Sequence, residues 1–291
     1  MPKYRFLFIT LTLSIPSFLY SQSYPRVPAD YQTYHGKMDL RVRTATSSRT
    51  EWNYVIYSGN VTSQKFKDQV TKYNQNGQIT EIENVDARGR NTSIKVFKYD
   101  KRGLPQMETE FMPTGELLGK TLYDYDPAGN IQSITWYNGN EYIISKTEFV
   151  VDSSAGTVTE RKLFSPDSIN EKTVYFYSDL KNGRVEKEQH FKGEDLPDQT
   201  IVYHYDEKNK IEKAEFIDPQ GKTTSYREYH YSPKGMLQEM TRLYPDGTMI
   251  KEFDFNYGDS GLLSGRLEYD QKGGMVKYCK FTYNNLPLES Y

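Results

Sequence analysis

Cysteine is almost absent: Cys279 stands alone among 291 residues, which excludes an intramolecular disulfide. Stability then has to come from strand pairing and packing. Apolar residues are also scarce, at 36% with tyrosine included and a mean hydropathy of −0.79. A globular domain usually holds ~45–50%, so a thick two-layer core is not expected. The 37 basic and 39 acidic residues nearly cancel, to a net charge of −2. With no basic tract, the positive field that a nucleic-acid binder needs is missing. No stretch carries the helical period of apolar residues. Gly-Xaa-Ser-Xaa-Gly, a phosphate-cradling glycine loop and His-Glu-Xaa-Xaa-His are absent. Ser153, Ser154 and Ser260 lie near glycines but have no base in view.

Tyrosine is the exception to this scarcity, with 26 residues, and it returns at a fixed interval. One position per interval reads Tyr73, Tyr99, Tyr125, Val151, Tyr177, Tyr205, Tyr231, Tyr257 and Tyr283. The gaps are 26 residues except for one of 28 between Tyr177 and Tyr205. A period of this size marks a supersecondary unit that buries its apolar face only by stacking on its neighbours.

Lys95 to Gly119 represents one unit. A β-rich run through Val96, Phe97 and Tyr99 ends in Asp100-Lys101-Arg102-Gly103, and a second from Leu104 to Phe111 ends in Met112-Pro113-Thr114-Gly115. Both endings have the chemistry of a type I turn followed by glycine in the left-handed region, the common bulged hairpin. Asp126-Pro127-Ala128-Gly129, Asp218-Pro219-Gln220-Gly221, Ser232-Pro233-Lys234-Gly235 and Tyr244-Pro245-Asp246-Gly247 repeat it. Each unit is therefore two strands, with arms of about nine residues spanning ~30 Å. From Tyr73 onward this predicts about 17 consecutive antiparallel strands in sequential order.

Two residues before each repeat position stand Thr71, Phe97, Tyr123, Phe149, Tyr175, Tyr203, Tyr229, Phe255 and Phe281. Residues i and i+2 share a face of a strand, so these rings and the repeat tyrosines line one side. The intervening Lys72, Lys98, Asp124, Val150, Phe176, His204, His230, Asn256 and Thr282 make the other side mostly polar. The expected fold is all-β: a sequential antiparallel meander of 26-residue two-strand repeats in a long curved or spiralling single sheet.

Residues 1–22 resemble a secretory signal peptide. Lys3 and Arg5 precede a short apolar run from Phe6 to Leu19, and small polar residues follow at Ser21 and Ser23. The run is shorter than the ~20 residues of a spanning helix, so no transmembrane span is expected after its removal. The implied address is export to the periplasm, outer-membrane surface or exterior of a bacterium. Residues 23–70 are off-register but carry a hairpin signature around Ser58-Gly59-Asn60, and are expected to cap an open sheet edge. Residues 71–291 form the repeat array, whose last arm is free for edge-strand self-association.

Tyr99-Asp100-Lys101-Arg102-Gly103-Leu104 and Tyr125-Asp126-Pro127-Ala128-Gly129-Asn130-Ile131 resemble the YD repeat of Rhs and teneurin-type proteins, with Tyr205-Asp206 a partial copy. MORN-like repeats are a neighbouring possibility. The YD resemblance covers roughly residues 70 to 290. It implies a strand-turn-strand ribbon spiralling into a shell, which in Rhs toxins encloses an effector. The period here is longer, and Asn74, Ser178, Ser232, Gly258 and Asn284 replace the aspartate.

The functional expectation is a secreted or cell-envelope scaffold, non-enzymatic and without a cofactor, binding a protein or carbohydrate partner. Trp136-Tyr137 beside Asn138-Gly139-Asn140 is the aromatic turn suited to stacking on a sugar. The alternatives are a partial YD-type shell around a separately encoded effector, and a hydrolase. His204 and His230 occupy equivalent positions, but no third ligand completes a metal set. Asp100, Asp126, Asp206 and Asp246 read as turn caps rather than acid/base pairs.

Overall fold

The computed structural model describes residues 46–152, 154, 157–166, 171–180, 184–193 and 196–285. Residues 1–45, with the expected signal peptide at 1–22 and the first part of the expected cap, lie outside the described residues. The described residues form eighteen strands in one antiparallel sheet. These are β1 (Thr46–Tyr57), β2 (Asn60–Tyr73), β3 (Ile79–Val85), β4 (Asn91–Tyr99), β5 (Pro105–Phe111) and β6 (Leu117–Tyr125). Next come β7 (Ile131–Asn138), β8 (Ile143–Asp152), β9 (Thr157–Phe164), β10 (Glu171–Asp179), β11 (Arg184–Lys192) and β12 (Gln199–Tyr205). The last are β13 (Ile211–Ile217), β14 (Thr223–Tyr231), β15 (Leu237–Leu243), β16 (Met249–Tyr257), β17 (Leu263–Tyr269) and β18 (Met275–Asn285).

Each strand pairs with its sequence neighbours, as the meander requires, and β1 pairs with both β2 and β18. The sheet is thus a closed barrel. This corrects the expectation of a long curved or spiralling single sheet. A 26-residue period specifies the hairpin but not how far the accumulated twist carries the ends. The divergent hairpin decides the matter: β1 covers the free edges of β2 and β18 together, and closure removes both unpaired rows.

The turns follow the sequence chemistry. Gly103 N–H donates to the Asp100 carbonyl at 3.0 Å and Asp100 N–H to the Leu104 carbonyl at 2.8 Å, and the pattern recurs around both rims. Gly103 and its counterparts take φ of about +70 to +90°, where a Cβ would be strained. A register shift accompanies nearly every turn, so each hairpin carries a β-bulge.

The rim that follows the repeat tyrosines is closed by a recurrent latch. The β3–β4 ladder starts at Glu81 opposite Val96, which leaves the Ile79 carbonyl beyond its end. Tyr99 Oη donates to that carbonyl at 2.7 Å. Tyr125 does the same for Pro105, Tyr205 for Val185, Tyr231 for Ile211, Tyr257 for Leu237 and Tyr283 for Leu263, each reaching back 20 residues. Tyr177 reaches back 19, to Val158, and Val151 has no hydroxyl to offer. The two additional residues between Tyr177 and Tyr205 lie before Val185, because the latch spacing after it is unchanged. We call this end the latch rim and the other the far rim.

The aromatic row lies on the concave side. Side chains on the inside of a closed sheet converge, and Phe255 and Tyr123 are 3% and 5% exposed without a second layer among the described residues. Buried apolar clusters run along this wall, for example Ile201, Phe216, Tyr229, Leu237 and Phe255 across β12–β16. The convex side carries Lys72 with Glu81 and Glu83, Glu160 with Lys162, and Lys213 with Glu215. A membrane barrel needs an apolar outer band, and mid-strand lysines there cost ~2–4 kcal/mol each. This outer wall belongs in water.

The seam between β18 and β1 is closed by side chains as well. The Cys279 thiol is fully buried and donates to Asn53 Oδ1 at 2.9 Å, and Trp52 Nε1 donates to Thr282 Oγ1 at 3.1 Å. Burial pushes the thiol up to about 11, with the nearby Glu51 carboxylate adding to it.

Two outcomes follow from latch and seam. Iodoacetamide at about pH 8 leaves Cys279 unmodified in the folded barrel and alkylates it in guanidinium; labelling of native protein at the unfolded rate would mean an open seam. Tyr205→Phe costs about 1 kcal/mol in neutral denaturation, because the Val185 carbonyl loses its donor. Burial also pushes the Tyr205 hydroxyl from 10.0 up to about 12. The unfolded chain therefore ionises first, and this residue's contribution is complete below pH 10 and falls between pH 10 and 12. The phenylalanine variant loses stability less steeply across that window.

Candidate functional site

The inner wall is less uniformly apolar than its aromatic row. Residues paired across strands share a face, and Phe97 faces Glu108 while Tyr175 faces Glu188. The hydroxyls of Tyr123 and Tyr203 donate to Glu108 and Glu188, at equivalent places in the repeat. Burial, with Glu188 beside it, pushes the Tyr203 hydroxyl well above its usual range. From Glu108 a polar chain runs toward β2: Lys95 sits between Glu108 and Glu110, Glu110 accepts from Ser93, Ser93 from Asn84, and Asn84 from Gln69. On β10 and β11, His190 lies 3.1 Å from Glu188 and 3.3 Å from Thr173. These buried polar groups are matched to one another, which is what a low-dielectric wall demands.

Strands β14–β16 differ. Arg227 faces Arg242, and Arg242 faces Lys251, so three cations stand in one row across the inner wall. Lys251 Nζ has Glu268 at 2.5 Å. Arg242 has Ser225 Oγ at 3.5 Å and the Phe216 ring at 5.7 Å, and Arg227 lies 5.1 Å from that same ring. The outer side of the same strands is acidic, with Glu239 facing Asp254 and Glu252 nearby. Burial and the neighbouring Asp254 raise the Glu252 carboxyl above its ordinary range. The row was legible by carrying the alternation two residues further back from Tyr229, to Arg227, but the aromatic positions drew the pattern first.

The far rim gathers the exposed apolar surface. Tyr57, Leu196 and Tyr142 are 75%, 74% and 71% exposed, and Val55, Val61, Met112, Leu118, Ile143, Ile144, Tyr244 and Val276 are exposed beside them. Among the described residues only Val150, Phe176 and Leu180 are large, apolar, exposed and nearer the latch rim. The bulge position of this rim makes the contrast sharp. Thr92 and Thr224 occupy it in two repeats, and their hydroxyls cap the carbonyls of Asn84 and Phe216. Leu118, Ile144 and Val276 stand there in three others. They give up the cap and leave an apolar side chain in water.

The turn after β7 belongs to this rim. Asn138 Oδ1 accepts from the Asn140 and Tyr142 amides, and Glu141 occupies the left-handed seat at φ 63° that glycine fills in most other turns. Lys120 Nζ holds the Glu141 carboxylate at 2.6 Å and lowers it below its usual range. The sheet is tight here, since a Cβ on Gly139 would meet the Leu117 carbonyl oxygen at 2.2 Å. Trp136 and Tyr137 are half-buried and point to opposite faces: Trp136 faces Thr121 and Ser145 on the inner wall, and Tyr137 lies outside under Lys120 at 5.1 Å. A flat ligand can stack on one ring but not on both.

The acid/base candidates are spent on turns. Asp100 accepts from the Arg102 and Leu104 amides, and Asp206 from Lys208 and Lys210. The side chain and backbone N–H of Asn130 hold the Asp126 carboxyl below its ordinary range. Asp246 accepts from the Thr248 amide. His204 and His230 lie outside, 3.6 Å from Glu215 and 3.9 Å from Glu239. Among the described residues no three His, Cys, Asp or Glu side chains gather as a metal set.

No family model and no curated protein matches this chain. Among solved structures, a porin-like protein from Bacteroides uniformis aligns with a TM-score of 0.44 at 8% identity, over 90% of this chain and 100% of that one. A porin-like protein from Bacteroides vulgatus gives 0.31 at 9% identity, over 83% and 99%. The TcdB2-TccC3 structure gives 0.34 at 13% identity, over 80% of this chain and 15% of its own. These likenesses are weak, and neither the YD family nor an activity is established by them.

The strained turn yields a stability test. Glu141→Gly removes the side chain from a left-handed seat at the expense of an exposed ion pair of small value, and raises the melting temperature by about 2 °C. An unchanged or lower value in thermal denaturation would show that the Lys120 contact holds the turn.

Proposed function

We propose that this is an exported, non-enzymatic closed β-barrel of the bacterial envelope or exterior that holds a protein or glycan partner on its far rim. The observation that carries the reading is the exposure of Leu118, Ile144 and Val276 at bulge positions where threonine caps a carbonyl in sister repeats. The fold does not require those apolar side chains, and exposed apolar side chains gathered at one end of a barrel whose outer wall is charged point to a contact surface. Tyr142 and Tyr57 add flat rings with polar tips, suited to a sugar face or a protein hot spot. Tyr137 beside Lys120 extends the same sector down the outer wall. The charged convex face supports work in an aqueous compartment, and the Lys3, Arg5 and Phe6–Leu19 pattern supports export. The turn aspartates, committed to backbone amides, favour binding over hydrolysis.

The test uses substitutions that the repeat itself supplies. Leu118→Thr with Ile144→Thr keeps the bulge chemistry of Thr92 and Thr224 and removes the exposed methyl groups. Tyr142→Ser removes the ring. On arrays of bacterial surface glycans and purified envelope proteins, the triple variant loses at least about ten-fold in affinity while its circular dichroism stays native. Undiminished binding by a folded variant would sink the rim as the contact surface. Closure favours a second reading, a shell around a separately encoded effector. Co-expression with the neighbouring open reading frames gives a complex stable to gel filtration if that reading holds.

A further inference from the structure

We propose that the outer-wall cleft between the β1–β2 hairpin and the β3–β4 turn binds an acidic saccharide, with Lys65, Lys67 and Arg88 meeting its carboxylates beside the Trp52 indole. The site lies on other strands than Leu118, Ile144 and Tyr142 and does not depend on the rim reading.

The hairpin that closes the barrel is longer than closure needs. β1 and β2 run for 12 and 14 residues, against seven and nine in β3 and β4. β1 pairs with β18 as far as Tyr54 opposite Tyr278, and β2 pairs with β3 as far as Gln69 opposite Asn84. Beyond those pairs, among the described residues, the two arms pair with each other alone. Between the overhanging β2 arm and the turn after β3 lies a cleft of about 420 Å³, whose lining includes Trp52, Lys65, Lys67, Val85, Arg88 and Asn91.

Trp52 stands on the outer face, opposite Lys67 on β2 and Lys280 on β18, and its Nε1–H donates to Thr282, which fixes the ring. Lys65 Nζ lies 4.6 Å from the centroid of that ring and 5.9 Å from that of Tyr54. Among the described residues no carboxylate lines the cleft. Asp68, the bulge residue beside Lys67, is outside the lining. Asp86 is held by Arg90 at 2.7 Å, and Glu83 by Lys72 at 2.6 Å. Another cleft, of about 440 Å³ beside the latch rim, is different: Asp206, Glu212 and Glu228 line it together with Lys208, Lys210 and Lys213. Acids and lysines balance there, whereas three cations converge here.

Size and chemistry name the ligand class. A cleft of this volume takes a small ligand, while a stable protein partner needs ~800 Å² of surface on each side. An aromatic ring suits the apolar face of a sugar, Asn91 offers an amide to its hydroxyls, and the cations answer carboxylates. Lys65 and Lys67 share a face about 6.6 Å apart along β2, at ~3.3 Å per residue, and Arg88 faces them from the turn. That spread fits charges carried on successive sugar rings better than one phosphate group.

The chain has two tryptophans, so Trp136→Phe leaves Trp52 as the single indole reporter. This variant of the mature protein is titrated with trigalacturonate and with trimannuronate, each against its methyl ester and against sodium acetate at matched ionic strength. At least one of the two acids shifts the Trp52 emission saturably, and its methyl ester binds at least about ten-fold more weakly. Lys67→Gln with Arg88→Gln weakens the acid at least about ten-fold while circular dichroism stays native. Lys208→Gln with Lys234→Gln, a charge-matched change at the latch rim, leaves binding unchanged. No emission change beyond acetate with either acid would overturn the site, as would equal binding of the methyl ester or equal loss in the latch-rim control. Tighter binding of adenosine monophosphate than of either acid would overturn the saccharide assignment.

Discussion

The barrel depends on one hydrogen bond made again and again: a tyrosine hydroxyl to a carbonyl that the strand ladder has left behind. Each second arm runs past the end of its pairing with the next unit, so one carbonyl per repeat faces no strand. An unpaired carbonyl in a covered wall costs roughly 1–3 kcal/mol, and a whole ring of them would be prohibitive. Tyrosine meets the need in both respects. Its ring fills the concave face and its hydroxyl arrives at the rim, and phenylalanine supplies only the first. The preference for tyrosine at the repeat position and for either aromatic two residues earlier follows from that difference.

The wall separates its charges by face. Outside, lysines and glutamates pair across and along strands in water; inside, carboxylates are placed against tyrosine hydroxyls, a histidine and selected cations. A lipid-spanning barrel would need the reverse outer surface. At β14–β16 the inner row carries Arg227, Arg242 and Lys251, with Glu268 of β17 paired to Lys251, and the outer row carries Glu239, Glu252 and Asp254.

Much of the architecture was legible in the residues. Turn type follows from Asp-Xaa-Xaa-Gly and Xaa-Pro-Xaa-Gly, strand order from the short turns, and the covered face from Phe97, Tyr123 and their counterparts. Closure was not, because it rests on an irregular hairpin whose β1 has two partners more than 200 positions apart in sequence, and no periodicity encodes that distance. The latch was hidden for a related reason: Tyr99 was visible as a landmark, but its acceptor depends on where a ladder stops. Trp136 and Tyr137 were legible as aromatic neighbours, and strand alternation then sends their rings to opposite faces.

The two rims carry unequal constraints, and this explains where variation collects. At the latch rim a tyrosine, a capping side chain and a left-handed glycine act on the same few residues, so a substitution there disturbs several hydrogen bonds at once. Among the described residues the far rim shows no tyrosine latch. Its bulge carbonyl is capped by Thr92 or Thr224 in some repeats and uncapped beside Leu118, Ile144 or Val276 in others, so the fold tolerates either. Residues free of folding duty can be chosen for contact, and in a barrel whose walls are committed to pairing, this rim is where such freedom remains.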